Sequence, residues 1–249
     1  MIESELYDDF GAIYAAAFDW NTNDQVAPIC ALSGIERGRV VEPMCGSGRL
    51  LGAFAKAGFE TVGIDRSATM LALAQAHYDD QALAGEWLRS DVTNFNLDQA
   101  CDLAVCPSNS LAHLPGDQAM IDHLNSMSRN LISGASYWVQ LDLKQPSSTG
   151  QVEDWEFDYL GETLTCEWAS SGSHDNVETH VTRFVFPDAR VIEVTYDMKL
   201  WSFSDWQRVL NQTPFSFSAA YRADTFSPVA VAQSLDDQPS LWQQLTKLH

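Results

Sequence analysis

Residues 40–52 read VVEPMCGSGRLLG, and VGID follows at residues 62–65. A short β-branched run ends in an acid, Glu42, turns through Gly46 and Gly48, and enters an apolar helical pattern. A second short run ends in another acid, Asp65. Strand, glycine turn, helix, strand, acid is the layout of a nucleotide-cofactor site at the carboxyl edge of a parallel sheet.

Outward from this stretch the same grammar repeats. Arg39 to Glu42 reads as the first strand, Ser47 to Ala57 as a helix stopped by Gly58, and Thr61 to Asp65 as the second strand. Ser67 is placed to cap an alanine-rich helix, ATMLALAQAHY, built from strong helix formers. Glu86–Arg89 and Leu103–Cys106 read as strands three and four, Pro115 to Ile132 as a helix, and Ser136 to Leu143 as strand five. Alternation at this spacing predicts βαβ units and a parallel sheet. Ahead of the core, Tyr7, Phe10, Tyr14 and Ala17 share one helical face, and Asn23 or Asp24 is placed to cap a second helix towards Gly34.

After Gln145 the grammar changes. Residues 146–150, PSSTG, make a turn-rich break. Trp155, Phe157 and Tyr159, then Leu164, Cys166 and Trp168, then Ile192, Val194, Tyr196 and Met198 alternate with polar residues. Period-two alternation predicts an antiparallel sheet with one wet face. Ser204-x-x-Gln207 reads as a capping box for a short helix, and Phe215 to Tyr221 and Val229 to Gln233 as closing strands. The expected fold is therefore α/β: a doubly wound, Rossmann-like sheet with an antiparallel β insertion between the fifth strand and the last helix. The expected units are a helical lid at 1–34, a cofactor-binding core at 35–145, the insertion at 146–200, and a closing helix and strands at 201–249.

The chain carries 34 acids against 14 lysines and arginines, a net charge of −20. Such a field repels a phosphate backbone and an anionic membrane surface, so neither nucleic acid nor membrane is an expected partner. No run approaches about 18 uninterrupted apolar residues. The opening MIESELYDDF lacks the basic-then-apolar layout of a secretory signal. Five scattered cysteines without a C-x-x-C argue against a disulfide framework or zinc knuckle and fit a cytoplasmic protein.

Two cofactor classes compete for the glycine turn. A dinucleotide site wants G-x-G-x-x-G, but the third glycine would fall on Leu51, and Gly52 comes one position late. Glu42 would repel a pyrophosphate and attract an ammonium, which favours S-adenosylmethionine. Asp65 can accept two ribose hydroxyls for either cofactor. Asp91 and Val92, after strand three, are placed to face an adenine. A nicotinamide-dependent oxidoreductase and a non-catalytic cofactor-binding module are the alternative readings.

The chain resembles the class I S-adenosylmethionine-dependent methyltransferases. VVEPMCGSGRLL, TVGIDRSATMLALA, the Ser90-Asp91-Val92 step and CDLAVCPSNSLAHL carry the resemblance over residues 35–145. It implies that Glu42 lies near the methionine amino group, that Gly46 and Gly48 pass under the methionine portion, and that Asp65 holds the ribose with Arg66 beside the adenine. It also implies that Asp91 and Val92 line the adenine pocket and that Cys106, Ser108 and Asn109 lie near the methyl donor. The family commonly has a glycine where Met44 stands, so Met44 either pushes the loop outward or packs on the cofactor. Tyr7 and Tyr14 are expected to close over the cofactor, as N-terminal tyrosines do in related small-molecule enzymes.

Methyl transfer from a sulfonium is an in-line displacement that requires alignment, exclusion of water and, where needed, a base; no metal is expected. His113, in Ser108-Asn109-Ser110-Leu111-Ala112-His113, is the candidate base or acceptor orienter. Small-molecule N-methyltransferases of this class often carry a similar S-x-x-H-L segment. The expected acceptor is a small-molecule amine or hydroxyl. The insertion is expected to roof that acceptor or to make a homodimer contact, with most of its aromatics in the core. His123 is expected to be a surface or packing residue.

Overall fold

A computed structural model describes residues 5–143, 152–230, 235 and 241–248. The chain opens with one π-helical turn, Glu5–Asp9, and two helices, α1 (Gly11–Ala17) and α2 (Asn23–Ser33). The alternating core follows: β1 (Arg39–Pro43), α3 (Arg49–Lys56), β2 (Glu60–Asp65), α4 (Ala68–Asp80), β3 (Glu86–Arg89) and β4 (Cys101–Cys106). A single 3-10 turn, Ser110–His113, leads to α5 (Asp117–Arg129) and β5 (Leu131–Gln140). Four long strands come next, β6 (Val152–Tyr159), β7 (Glu162–His174), β8 (Val177–Val185) and β9 (Val191–Lys199). The chain closes with α6 (Phe203–Leu210), β10 (Phe215–Arg222), β11 (Pro228–Val229) and β12 (Leu241–Lys247).

Eight strands form one sheet in the order β11-β10-β12-β5-β4-β1-β2-β3, and β6 to β9 form a second sheet in chain order. The pairs from β5 to β3 are parallel, β12 adds antiparallel to β5, and β10 adds antiparallel to β12. All five residues of β1 are buried, as expected of a central parallel strand covered on both faces. One apolar cluster packs α2, α3 and α4 against one face of the sheet. The other joins α5, α6, the N-terminal segment and the inner face of the second sheet. The fold class read from the sequence is thus the one observed.

Several local expectations are corrected. The closing strand against β5 is β12, at Leu241–Lys247, while β11 is a two-residue edge. The expected tail to Gln233 and the 146–150 break lie outside the described residues. The capping box is Ser202 with Asp205, not Ser204 with Gln207. The Asp205 amide donates to Ser202 Oγ at 3.1 Å, and the Ser202 amide donates to the Asp205 carboxylate at 3.2 Å. The helix therefore starts at Phe203. Asn23 lies within α2, which has no side-chain cap. Ser67 caps α4 as expected, its hydroxyl accepting from the Met70 amide at 3.1 Å.

The carboxyl ends of β1, β2, β3 and β4 share one edge of the sheet, and every turn that carries an expected site residue leaves from it. The second sheet approaches the same edge. The Trp155 indole of β6 donates to the Ala17 carbonyl of α1 at 2.7 Å, and the Tyr196 ring of β9 lies 5.6 Å from that of His113. No helix among the described residues is long and apolar enough to cross a membrane.

Candidate active site

A cavity of about 460 Å³ opens at this edge, within the size range of small-ligand sites. Eleven of the expected residues line it: Tyr7, Tyr14, Glu42, Met44, Gly46, Asp65, Arg66, Asp91, Val92, Ser108 and His113.

Three expected residues do not. Gly48, in the left-handed region at φ 71°, ends the turn with its α-carbon against Trp87; a Cβ there would sit 2.8 Å from the indole. Its lack of a side chain lets the helix pack on the sheet. Cys106 ends β4 pointing into the core, its thiol donating to the Pro43 carbonyl at 3.6 Å, and burial pushes its pKa up. Asn109 turns away at φ 56°, its side-chain carbonyl accepting from the Asp142 amide at 2.9 Å. The preceding Ser108 is also left-handed, at φ 60°. Two consecutive non-glycine residues in that region mark a turn held against its own preference, as found at ligand sites.

Met44 has φ 55°, so the departure from glycine falls where glycine is the unstrained residue. Its side chain reaches the cavity wall and packs against the core.

Asp65 organises the turn. One carboxylate oxygen accepts from the Gly46 amide and the other from the Ser67 amide, each at 2.9 Å. Burial raises its pKa, and these two amide bonds oppose the rise. Glu42 is 3% exposed. Burial pushes it from 4.5 to about 8, against the opposing pull of Arg49 and the Leu51 amide, with Asp65 adding to the rise. One Glu42 oxygen is buried without a hydrogen-bond partner among the described residues.

Arg49, first residue of α3, is a cavity residue that sequence reasoning missed. Nothing in its local pattern separates it from an ordinary helix-surface arginine. The fold points it into the cavity, where one guanidinium nitrogen reaches Ser108 Oγ at 3.3 Å and the other is buried without a partner among the described residues. Burial lowers its pKa, with Glu42 holding it up.

The far side of the cavity is aromatic. The Tyr7 hydroxyl and His113 Nε2 are 3.1 Å apart, Tyr14 lies edge-on to Tyr7 at 5.0 Å, and Phe18 stacks on Tyr14 at 4.3 Å. Ser67 Oγ donates to the Tyr7 carbonyl at 2.9 Å. Tyr7 therefore spans the cavity, its backbone on the Asp65 side and its hydroxyl on the His113 side. At the third edge, Asp91 accepts from both the amide and the hydroxyl of Thr93, at 2.8 and 2.7 Å, which lowers its pKa.

Residues 40–134 match the family model described as a methyltransferase domain. No curated protein matches the chain in sequence. In fold it is similar to the CcbJ methyltransferase from Streptomyces caelestis (15% identity, 97% of this chain and 99% of that one, TM-score 0.76). It is also similar to an S-adenosylmethionine-dependent methyltransferase from Clostridium acetobutylicum (16%, 96% and 98%, TM-score 0.73). A third similar structure is the sugar N-methyltransferase KedS8 from a Streptoalloteichus species (16%, 91% and 86%, TM-score 0.73). The fold is that of the Rossmann-like methyltransferases.

Proposed function

We propose that this chain, which carries a methyltransferase domain over residues 40–134, moves the methyl group of S-adenosylmethionine to the nitrogen of a small-molecule amine. One observation carries the cofactor reading. Glu42 and Arg49 line the same cavity, and each keeps a buried polar atom without a partner among the described residues. An amino-acid zwitterion offers an ammonium and a carboxylate on one carbon, and so satisfies both atoms. A pyrophosphate would instead meet the Glu42 carboxyl group. Asp65 keeps acceptor capacity for ribose hydroxyls beyond its two amide bonds, since a carboxylate offers about four lone-pair sites. Asp91 and Val92 border the adenine end.

When bound, this cofactor supplies an electrophilic methyl group on a sulfonium sulfur. The protein's own work is alignment, dehydration and proton removal. Tyr7, Tyr14 and Phe18 exclude water on the acceptor side. His113 takes the proton that the acceptor nitrogen must lose, and the Tyr7 hydroxyl holds its ring in place. The second sheet closes the acceptor side through Trp155 and Tyr196.

Two considerations favour an amine over a hydroxyl. The net charge of −20 draws cations and repels polyanions such as nucleic acid. KedS8 is a sugar N-methyltransferase, and a further similar structure, CalS10, is an amino pentose methyltransferase. The five cysteines are free thiols, in keeping with a reducing cytoplasm. The test is calorimetry with S-adenosylmethionine, followed by mass spectrometry of a panel of amino sugars and their hydroxyl counterparts. Binding with N-methylated product is expected. No heat of binding refutes the cofactor, and methylation of the hydroxyl panel alone refutes the amine.

A further inference from the structure

Helix α5 holds the adenine-side loop by its backbone. His123 and Ser126, at i and i+3, share one helical face, and Asn130, the residue just past the helix end, follows on the same side. They are 0%, 0% and 3% exposed. Each bonds the main chain of the loop after β3. His123 Nδ1 lies 3.1 Å from the Val92 carbonyl. Ser126 Oγ accepts from the Phe95 amide at 3.0 Å, and the Asn130 side-chain Oδ1 accepts from the Leu97 amide at 2.7 Å. A loop without ladder partners must satisfy its buried backbone groups elsewhere, and this stripe does it. Of the three contacted loop residues only Val92 lines the cavity.

The other imidazole nitrogen, Nε2, lies 2.9 Å from the Tyr137 hydroxyl. Tyr137 also meets the Cys106 thiol, which in turn donates to the Pro43 carbonyl. A carbonyl can only accept, so Nδ1 carries the hydrogen and Nε2 accepts from Tyr137. Burial lowers the His123 pKa to about 4, so the ring stays neutral in this tautomer through physiological pH. These contacts run from Pro43, the last residue of β1, past Cys106 at the end of β4 and Tyr137 in β5, to Val92 in the loop after β3.

We propose that His123 is a positioning residue for the cofactor: its bond to the Val92 carbonyl fixes the wall against which the adenine packs. The proposal rests on the cofactor assignment above. Two substitutions separate the two ring contacts. In H123N the amide nitrogen takes the place of Nδ1 and keeps the Val92 bond. In H123Q the amide reaches the place of Nε2 and keeps the Tyr137 bond instead. Each loses one buried bond, so both lower the melting temperature, and a merely structural role makes their cofactor affinities equal. Positioning predicts that calorimetry finds S-adenosylhomocysteine bound by H123N within about threefold of the parent, and by H123Q about tenfold or more weakly. Equal affinities, or the reverse order, overturn the proposal.

A measurement on the unaltered protein stands beside this pair. The Nδ1–H resonance of His123 is expected to shift on saturation with S-adenosylhomocysteine, and a resonance blind to it overturns the proposal even if both variants fail to fold. A parent protein that binds no S-adenosylhomocysteine overturns the cofactor assignment itself, whereas a parent that binds normally beside two equal variants overturns only the role of His123.

Discussion

Glu42 should hold a proton in the cofactor-free protein and release it when an ammonium arrives. Burial raises its folded pKa from 4.5 to about 8. Below 4.5 the group is protonated in folded and unfolded chains alike. Between these values the unfolded chain loses the proton and the folded one keeps it. The folded state then binds more protons, so stability falls as pH rises through this window. At about 1.4 kcal/mol per pH unit, the cofactor-free protein loses on the order of 5 kcal/mol across the window through this group alone. The substitution E42Q, neutral at every pH, removes that slope.

Binding reverses the preference, because an ammonium against the carboxyl group favours its ionised form. At about pH 6, uptake of S-adenosylmethionine should therefore release close to one proton, and affinity should rise up to about tenfold per pH unit between about pH 5 and 7. Calorimetry in two buffers of different ionisation heat reads the proton directly. E42Q should abolish the release and weaken binding about 10- to 100-fold, the loss of one charge-assisted bond of about 1.5–3 kcal/mol. Tight binding without proton release, or an affinity flat with pH, would refute the reasoning.

D65A removes the acceptor of the Gly46 and Ser67 amides together with the ribose acceptors. Cofactor affinity should fall tenfold or more in calorimetry, with a lower melting temperature. H113A should lower kcat by about 10²- to 10⁴-fold while leaving the cofactor Kd within about twofold, in a steady-state assay paired with calorimetry. Y7F keeps the Ser67 bond to the Tyr7 carbonyl but loses the hydroxyl on His113, so kcat should fall about tenfold. In the H113A background that loss should vanish; an undiminished loss would show that Tyr7 acts apart from His113. G48A sets a Cβ 2.8 Å from the Trp87 ring at φ 71° and should cost about 1–3 kcal/mol in urea unfolding. A loss under about 0.5 kcal/mol would refute that packing role.

The core was legible because each of its elements carries its own signal. Val40 and Val41 are buried on both faces and read as a continuous apolar run, and Ser67 announces its helix by a local bond. The strand β12 carries no such signal. Gln243 and Gln244 interrupt its alternation, yet Gln243 is fully buried because β5 and β10 flank the strand and its amide donates to the Leu141 carbonyl at 2.8 Å. Burial there comes from neighbours distant in sequence. Ser204 and Gln207 matched a capping pattern two residues too late, since Ser202 and Asp205 offer the same chemistry first.

The site shows the same division between local and distant causes. Strand ends told which turns reach the cavity, but not which way each side chain points. Ser108 lines the cavity, while its neighbours Cys106 and Asn109 turn to Pro43 and Asp142. Arg49 needed Glu42 across the turn before it meant anything. The stripe of His123, Ser126 and Asn130 is visible as spacing, but its partners Val92, Phe95 and Leu97 lie before strand β4, earlier in the chain. Residues in contact with a ligand are legible when their turn has a signature. Residues that hold those turns from behind become legible only when the fold shows what they hold. In this chain Val92 has its support from behind in His123, whereas Arg49 stands in the cavity itself beside Glu42.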